Sequence, residues 1–234
     1  MFDLIAHRGD PVHAPENTLV SLREAVSRGA QAVEVDLRRA EDRTWVVFHD
    51  RDLRRTVGLK RRLNRIPWET LSHLEAGGWF SPLFRGEKIP RVEQVFEFCR
   101  SRQVRVFLDV KESGGEVDLA ALLKKPAWSR YVWVGAGTVP ALRRWRDLLD
   151  ETPLFWVTGY RAPVTAARIR IAKRLRLDGL LVYKRWASKR AVQRAHEAGL
   201  KLYVWTARSR ADLKRLKASG VDGIMSELWP TPSI

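Results

Sequence analysis

Short runs of apolar and β-branched residues recur along the chain, separated by stretches whose apolar positions fall three and four residues apart. The first pattern predicts strands and the second amphipathic helices. Strands are expected at Leu4–Ala6, Ala32–Leu37, Thr44–Phe48, Val104–Val110, Tyr131–Val134, Leu154–Val157, Leu180–Tyr183, Lys201–Trp205 and Gly223–Met225. Several of the intervening helices have legible ends. Asn17 precedes a helix bearing Leu19, Leu22 and Val26 and is placed to cap it, with Gly29 as its stop. Ser188 stands in the same position before Val192 and Ala195. Ser209 precedes Leu213 and Leu216, with Asp212 at a capping-box spacing and Gly220 beyond the last turn.

Alternation of strand and helix from end to end predicts an α/β fold with a parallel sheet. Nine strands are one too many for an eight-stranded barrel, and the spacing identifies the extra one. Roughly six residues separate Leu37 from Thr44, too few for a parallel crossover, which takes a dozen or more. Thr44–Phe48 must therefore run back antiparallel beside Ala32–Leu37, through a turn at Glu41-Asp42-Arg43. That leaves eight strands free to be parallel, and the expected fold is a distorted (β/α)8 TIM-type barrel, with residues 1–234 as a single domain. The stretch 51–90, with Gly58, Pro67, Gly77, Gly78, Pro82 and Gly86 scattered through it, is too long for a plain connection. It reads as a small insertion over one end of the barrel, after the third strand segment.

Composition narrows the class. The balance of apolar and charged residues is that of an ordered globular protein, and no apolar run approaches a membrane span. With no targeting segment before Phe2 and a single cysteine, Cys99, on the apolar face Val92, Val95, Phe96, a disulfide within the chain is excluded and a cytoplasmic location is expected. The formal net charge of +16 attracts polyanions, so phosphorylated substrates, anionic membrane and nucleic acid all come into view. No nucleic-acid motif or basic stripe interleaved with aromatics accompanies that charge, so no specific nucleic acid is expected. Contact with a membrane surface is compatible with it but not implied.

The chemistry-bearing residues cluster at strand ends, where barrel enzymes place their active sites. His7-Arg8-Gly9 ends the first strand and suits an anionic substrate. Glu34 and Asp36 stand two apart on the second strand and share one face. They either coordinate a hard cation or form a hydrated, solvent-facing edge. The returning strand ends in His49-Asp50, and a turn centred on Asp42 sets His49 level with Val35, near the carboxylate pair, as a candidate general acid or base. Asp109 and Lys111 repeat the two-apart spacing on the next strand. They offer a third oxygen ligand and a cation for a phosphate oxygen.

Ala6-His7-Arg8-Gly9, Ala14-Pro15-Glu16-Asn17-Thr18, Val33-Glu34-Val35-Asp36 and Val46-Val47-Phe48-His49-Asp50, with Leu53, Arg55 and Thr56, resemble the glycerophosphodiester phosphodiesterase family. The resemblance extends through Ala76-Gly77-Gly78-Trp79-Phe80 and Gly86-Glu87-Lys88-Ile89-Pro90 to Val204-Trp205-Thr206 and Gly220-Val221-Asp222-Gly223-Ile224. It implies metal-dependent hydrolysis of small glycerophosphodiesters to glycerol phosphate and an alcohol. In that scheme His7 and His49 are the acid–base pair, and Glu34, Asp36 and Asp109 hold a divalent cation, Mg²⁺ or Ca²⁺. Arg8 and Lys111 clamp the phosphate, Glu16 supports the site, and Trp205 lies against the alcohol. The chain departs from the family's pattern at three places: Asp109 stands where Glu is usual, Ala207-Arg208 where an Asn is common, and Ser226-Glu227 in place of a late Thr-Asp pair. Lysophospholipase D-like attack on lipid phosphodiesters and non-catalytic binding of polyanions or membrane surfaces are the alternative readings. A monomer or homodimer is expected.

Overall fold

The computed structural model describes residues 2–229. Its strands are β1 (Asp3–His7), β2 (Ala32–Arg39), β3 (Trp45–Val47), β4 (Arg105–Val110), β5 (Val132–Ala136), β6 (Leu154–Val157), β7 (Gly179–Tyr183), β8 (Lys201–Ala207) and β9 (Gly223–Ser226). The helices are α1 (Leu19–Ser27), α2 (Arg54–Val57), α3 (Trp68–Leu71), α4 (Val92–Arg102), α5 (Glu116–Leu123), α6 (Val139–Leu148), α7 (Ala166–Arg174), α8 (Lys189–His196) and α9 (Arg210–Ala218). The sheet runs β1-β9-β8-β7-β6-β5-β4-β2, and β1 pairs with β2 to close it. This is the eight-stranded parallel barrel expected, with boundaries shifted by a residue or two. β3 lies outside it, antiparallel to β2, with Leu37 opposite Val47 and Arg39 opposite Trp45. Asp42 makes the return by accepting from the Thr44 backbone N–H at 3.1 Å.

Strand alternation fills the barrel in layers. Ile5, Phe107, Phe155, Leu181, Tyr203 and Met225 form its middle, with Trp133 packed against them. The Phe155 and Tyr203 ring centroids are 4.8 Å apart and those of Phe107 and Phe155 5.6 Å. These rings fit because glycines stand beside them. A Cβ on Gly135 would lie 2.5 Å from the Phe107 ring, and one on Gly179 would lie 2.5 Å from the Lys201 carbonyl oxygen and 2.8 Å from Phe155. At the N-terminal mouth, Asp3 accepts from the Tyr203 hydroxyl and from Arg105 at 2.8 Å, while Arg105 also sits over the Trp133 ring.

Outward-facing Val33, Val35, Leu37, Val106 and Leu108 pack beneath the helices in one continuous core. Cys99 belongs to it, and burial pushes its thiol up to about 12, so it is an inert packing residue. β3 serves two cores at once. Trp45 and Val47 join the main one, whereas Val46 and Phe48 join a separate cluster with Leu53, Leu63, Ile66, Leu71 and Ile89 from the stretch after β3. Among the described residues, no helix is long and apolar enough to cross a membrane.

The helix starts at Ser188 and Ser209 are as expected, each hydroxyl accepting a backbone N–H three residues on. Asn17 is different. Thr18 caps α1, accepting from the Ser21 N–H at 3.3 Å, and Asn17 has a left-handed backbone with its side chain aimed into the barrel mouth. A hydroxyl one residue later captured the cap and released the amide for another use.

The interior glycines generate a stability prediction. Gly179→Ala forces a methyl against backbone rather than against a movable side chain, so it should cost about 1–3 kcal/mol by overpacking. Urea unfolding of the two proteins measures this. Equal midpoints would show that the barrel can expand locally.

Candidate active site

The C-terminal strand ends surround a cavity of about 360 Å³. Val157, Leu181 and Met225 form its floor, and its polar wall comes from β2, from the C-terminal ends of β1, β4 and β8 and from the segments after β1, β3, β4 and β8. His7, Arg8, Glu34, Asp36, His49, Asp109, Lys111 and Trp205 all lie on this wall. Glu16 does not. It stands behind the wall, where it receives hydrogen bonds from Arg8 at 2.9 Å and from Arg55 at 2.7 and 2.9 Å.

The loop after β1 is built to present two groups in succession. Arg8 has a left-handed backbone, and its N–H donates to Glu34 Oε2 at 2.9 Å. Gly9 follows with φ +82, where any Cβ would fall 2.4 Å from the Ser21 hydroxyl. The Arg8 carbonyl oxygen in turn accepts from the Ser21 hydroxyl at 2.9 Å and the Asn17 N–H at 3.1 Å, which ties the loop to the start of α1.

Glu34 and Asp36 occupy the inner face of β2, and both faces of that strand are buried. The hydrated-edge alternative is thereby removed. Register places Asp109 of β4 opposite Asp36. One oxygen each from Glu34, Asp36 and Asp109 lies within 4.8 Å of the others. Lys111 meets this group with Nζ 2.9 Å from Asp36 Oδ1 and in contact with Asp109, and Arg8 Nε is 3.0 Å from Asp36 Oδ2. Burial alone would push the Asp36 carboxyl up, but Lys111 and Arg8 hold it below the usual carboxylate range. For Glu34 the same two cations fall short: burial first, and the Asp36 charge next, raise it well above that range against the opposing pull of Arg8 and Lys111. Three buried carboxylates face only two cations, one of which, Arg8, is shared with Glu16. A hard divalent cation fits this set of oxygen donors and would supply the missing charge.

Each histidine is held through Nδ1 by a carboxylate. His7 Nδ1 is 3.1 Å from Glu227 Oε1, and His49 Nδ1 is 2.6 Å from Asp50 Oδ1. Each carboxylate is in turn gripped by an arginine. Arg55 donates to Asp50 at 2.7 Å, and Arg208 donates to both oxygens of Glu227, at 2.8 and 3.1 Å. His7 is buried, which lowers its pKa, while its bond to Glu227 works the other way. Burial would raise the Glu227 carboxyl, but the bonds from His7 and Arg208 bring it down to about 2.

Asn17, Asp50, Arg55, Arg208 and Glu227 are the site residues whose function sequence reasoning did not assign. Asn17 brackets Asp36: its Nδ2 donates to Asp36 Oδ2 at 2.9 Å and its Oδ1 accepts from the Asp36 N–H at 3.1 Å. Such a two-way bond needs an amide, but nothing in the sequence separates it from a helix cap. Arg55 and Asp50 lay within a recognised motif without a role. Trp205 donates to the Thr158 carbonyl at 3.3 Å and stacks edge-on with Tyr160 and Tyr183, forming an aromatic side to the cavity. Trp79 touches Arg55 from outside and does not line the cavity, and His13 is turned onto Asp10 at 2.8 Å.

With this geometry in hand, comparison with known proteins is specific. The model of the glycerophosphoryl diester phosphodiesterase family matches residues 7–227. A glycerophosphodiester phosphodiesterase of Caldanaerobacter subterraneus subsp. tengcongensis is 27% identical over 233 residues, covering 96% of this chain and 93% of that protein. An Oleispira antarctica phosphodiesterase, solved in complex with the product sn-glycerol-3-phosphate, superposes with a TM-score of 0.87 at 25% identity, over 96% of this chain and 92% of that one. A glycerophosphodiester phosphodiesterase from Agrobacterium tumefaciens shares the fold, with a TM-score of 0.84 at 23% identity over 97% and 96% of the two chains.

The Asn17 bracket can be tested alone. Asn17→Gly keeps a residue suited to φ +59 and deletes only the amide, so Asp36 loses its orienting partner. Turnover should fall by roughly 10–100-fold, the usual weight of a group that orients a ligand. Initial rates with a melting curve as control measure it; an unchanged rate would mean that Asp36 is held well enough without it.

Proposed function

Because the chain belongs to the glycerophosphoryl diester phosphodiesterase family and is a phosphoric diester hydrolase, we propose that it cleaves small glycerophosphodiesters in the cavity described above, by metal-assisted acid–base catalysis. The observation that carries this reading is the meeting of two histidines with three buried carboxylates, an arginine and a lysine on one cavity wall. The Oleispira relative's bound product makes sn-glycerol-3-phosphate the expected product here.

Glu34, Asp36 and Asp109 would hold the cation, Mg²⁺ or Ca²⁺. When bound, it supplies polarisation of a phosphate oxygen and neutralisation of developing charge. Arg8 and Lys111, already anchored on Asp36, are placed to fix the remaining phosphate oxygens. With Nδ1 of each histidine engaged by a carboxylate, Nε2 is the atom that each presents for proton transfer. One removes the proton from the attacking oxygen, and the other gives a proton to the departing alkoxide, so that the P–O bond to the new nucleophile forms as the P–O bond to the alcohol breaks. Trp205, with Tyr160, offers the flat apolar side for the organic part of the substrate. Glu16 acts from behind, holding Arg8 and Arg55 in place.

Two predictions test the parts separately. Excess chelator should abolish hydrolysis of a glycerophosphodiester and added Mg²⁺ or Ca²⁺ should restore it. Asp109→Asn should raise the metal midpoint by about tenfold or more, because affinity for hard cations follows ligand charge. Activity that persists in chelator, or an unmoved midpoint in the Asn variant, would remove the metal or Asp109 from the account. His7→Ala and His49→Ala should each lower kcat by roughly 10²–10⁴ with little change in melting temperature. A variant that retains wild-type kcat would lose its assigned role.

A further inference from the structure

Arg208 and Glu227 come from different strand ends, yet they form one rigid unit with His7. Arg208 follows β8 and Glu227 follows β9. The guanidinium takes both carboxylate oxygens, and Oε1 is shared between Arg208 at 3.1 Å and His7 Nδ1 at 3.1 Å. The Arg208 backbone N–H is tied to Asp212 at 3.1 Å, and the Glu227 N–H to the Ala207 carbonyl at 3.0 Å, so both ends of the bridge are anchored in the main chain. Among the described residues, Glu227 is the one partner of His7 Nδ1. On its other side, Nε2 stands 3.9 Å from Glu34 Oε2 and faces the cavity.

We propose that Glu227, locked by Arg208, is the positioning residue that fixes His7 in its Nδ1–H tautomer and leaves the Nε2 lone pair for the reaction. The inference rests on the acid–base role assigned to His7 above. An ionised carboxylate accepts and cannot donate, so the imidazole nitrogen facing it must carry the proton. A neutral imidazole free in water is not held to that tautomer or that ring orientation. The bidentate arginine removes the remaining freedom of the carboxylate, since a planar fork fits two oxygens in one geometry. Arg208 thus acts on the reaction through Glu227, although its own side chain reaches the cavity rim. His49 is arranged on the same plan with Asp50 and Arg55.

The chain of action sets the test, run on the full-length protein loaded with Mg²⁺. Glu227→Ala should lower kcat by roughly 10–100-fold with KM within about threefold, and Arg208→Ala should lower kcat by less. The double variant Arg208→Ala/Glu227→Ala should be no slower than Glu227→Ala alone, because Arg208 has no other route to His7. Glu227→Gln, which keeps an acceptor oxygen at the same length, should fall between wild type and Glu227→Ala and guards against a folding failure of the Ala variant. Nitrogen NMR of His7 should report Nδ1–H and bare Nε2 in the wild type, and a mixture in Glu227→Ala. Multiplicative losses with a raised KM would overturn the proposal and make Arg208 a direct substrate contact, as would an Nε2–H signal in the wild type. Activity of the wild type itself is measured first, so failure of the phosphodiesterase reading is seen independently.

Discussion

Three carboxylates held within 4.8 Å inside a barrel are the constraint from which the rest of the site follows. Like charges taken out of water repel strongly, and each must be paired or neutralised. The fold meets that demand in tiers. Lys111 and Arg8 reach Asp36, Lys111 also meets Asp109, and the Arg8 main chain donates to Glu34. Asn17 brackets Asp36, sharing its Oδ2 with Arg8. Glu16 then keeps Arg8 from collapsing fully onto the acids by holding one edge of its guanidinium. Glu34 is the least compensated of the three, which makes the cluster a candidate site for a cation.

Among the described residues, two of the five non-glycine left-handed backbones stand at the same point. Arg8 and Asn17 both adopt left-handed backbones without being glycine, and both do so within the loop that follows β1. Such conformations cost on the order of 1 kcal/mol or more and persist where surrounding bonds over-determine them. Here the Arg8 N–H is committed to Glu34 and its carbonyl to Ser21 and Asn17. The strain is the geometric condition for turning a main-chain N–H and a guanidinium toward the acids from adjacent residues.

The barrel was legible because its signals are local. β-branched runs, capping serines and the short link between Leu37 and Thr44 each act over a few residues, and the antiparallel return of β3 followed from length alone. The metal-binding candidates were legible for the same reason, since Glu34 with Asp36 and Asp109 with Lys111 share faces by strand period. Two kinds of feature were hidden. Asn17 looked like a cap because Asn and Thr both serve as caps, and only the position of β2 shows which function the amide performs. The bond from His7 to Glu227 spans 220 residues and exists only because β9 closes the barrel beside β1. No spacing rule reaches across that distance. The choice between a hydrated edge and a buried face for β2 was likewise undecidable until the helices covering it were in place.

The division of β3 between two hydrophobic clusters has a dynamic consequence. His49, Asp50 and Arg55 ride on the smaller cluster, whereas His7 and the three acids belong to the barrel. Proteins open in cooperative units whose free energies differ, and a small satellite core is the kind of unit that opens first. Excursions of that unit would withdraw His49, one of the two histidines proposed for proton transfer, while the acids stay assembled. Glu16, which grips Arg55 from the barrel side, is one clasp between the two units, beside the bonds from Arg38 to the His49 carbonyl and from the Phe48 N–H to the Asp36 carbonyl. How often such contacts open is a quantity separate from the stability of the barrel beneath them.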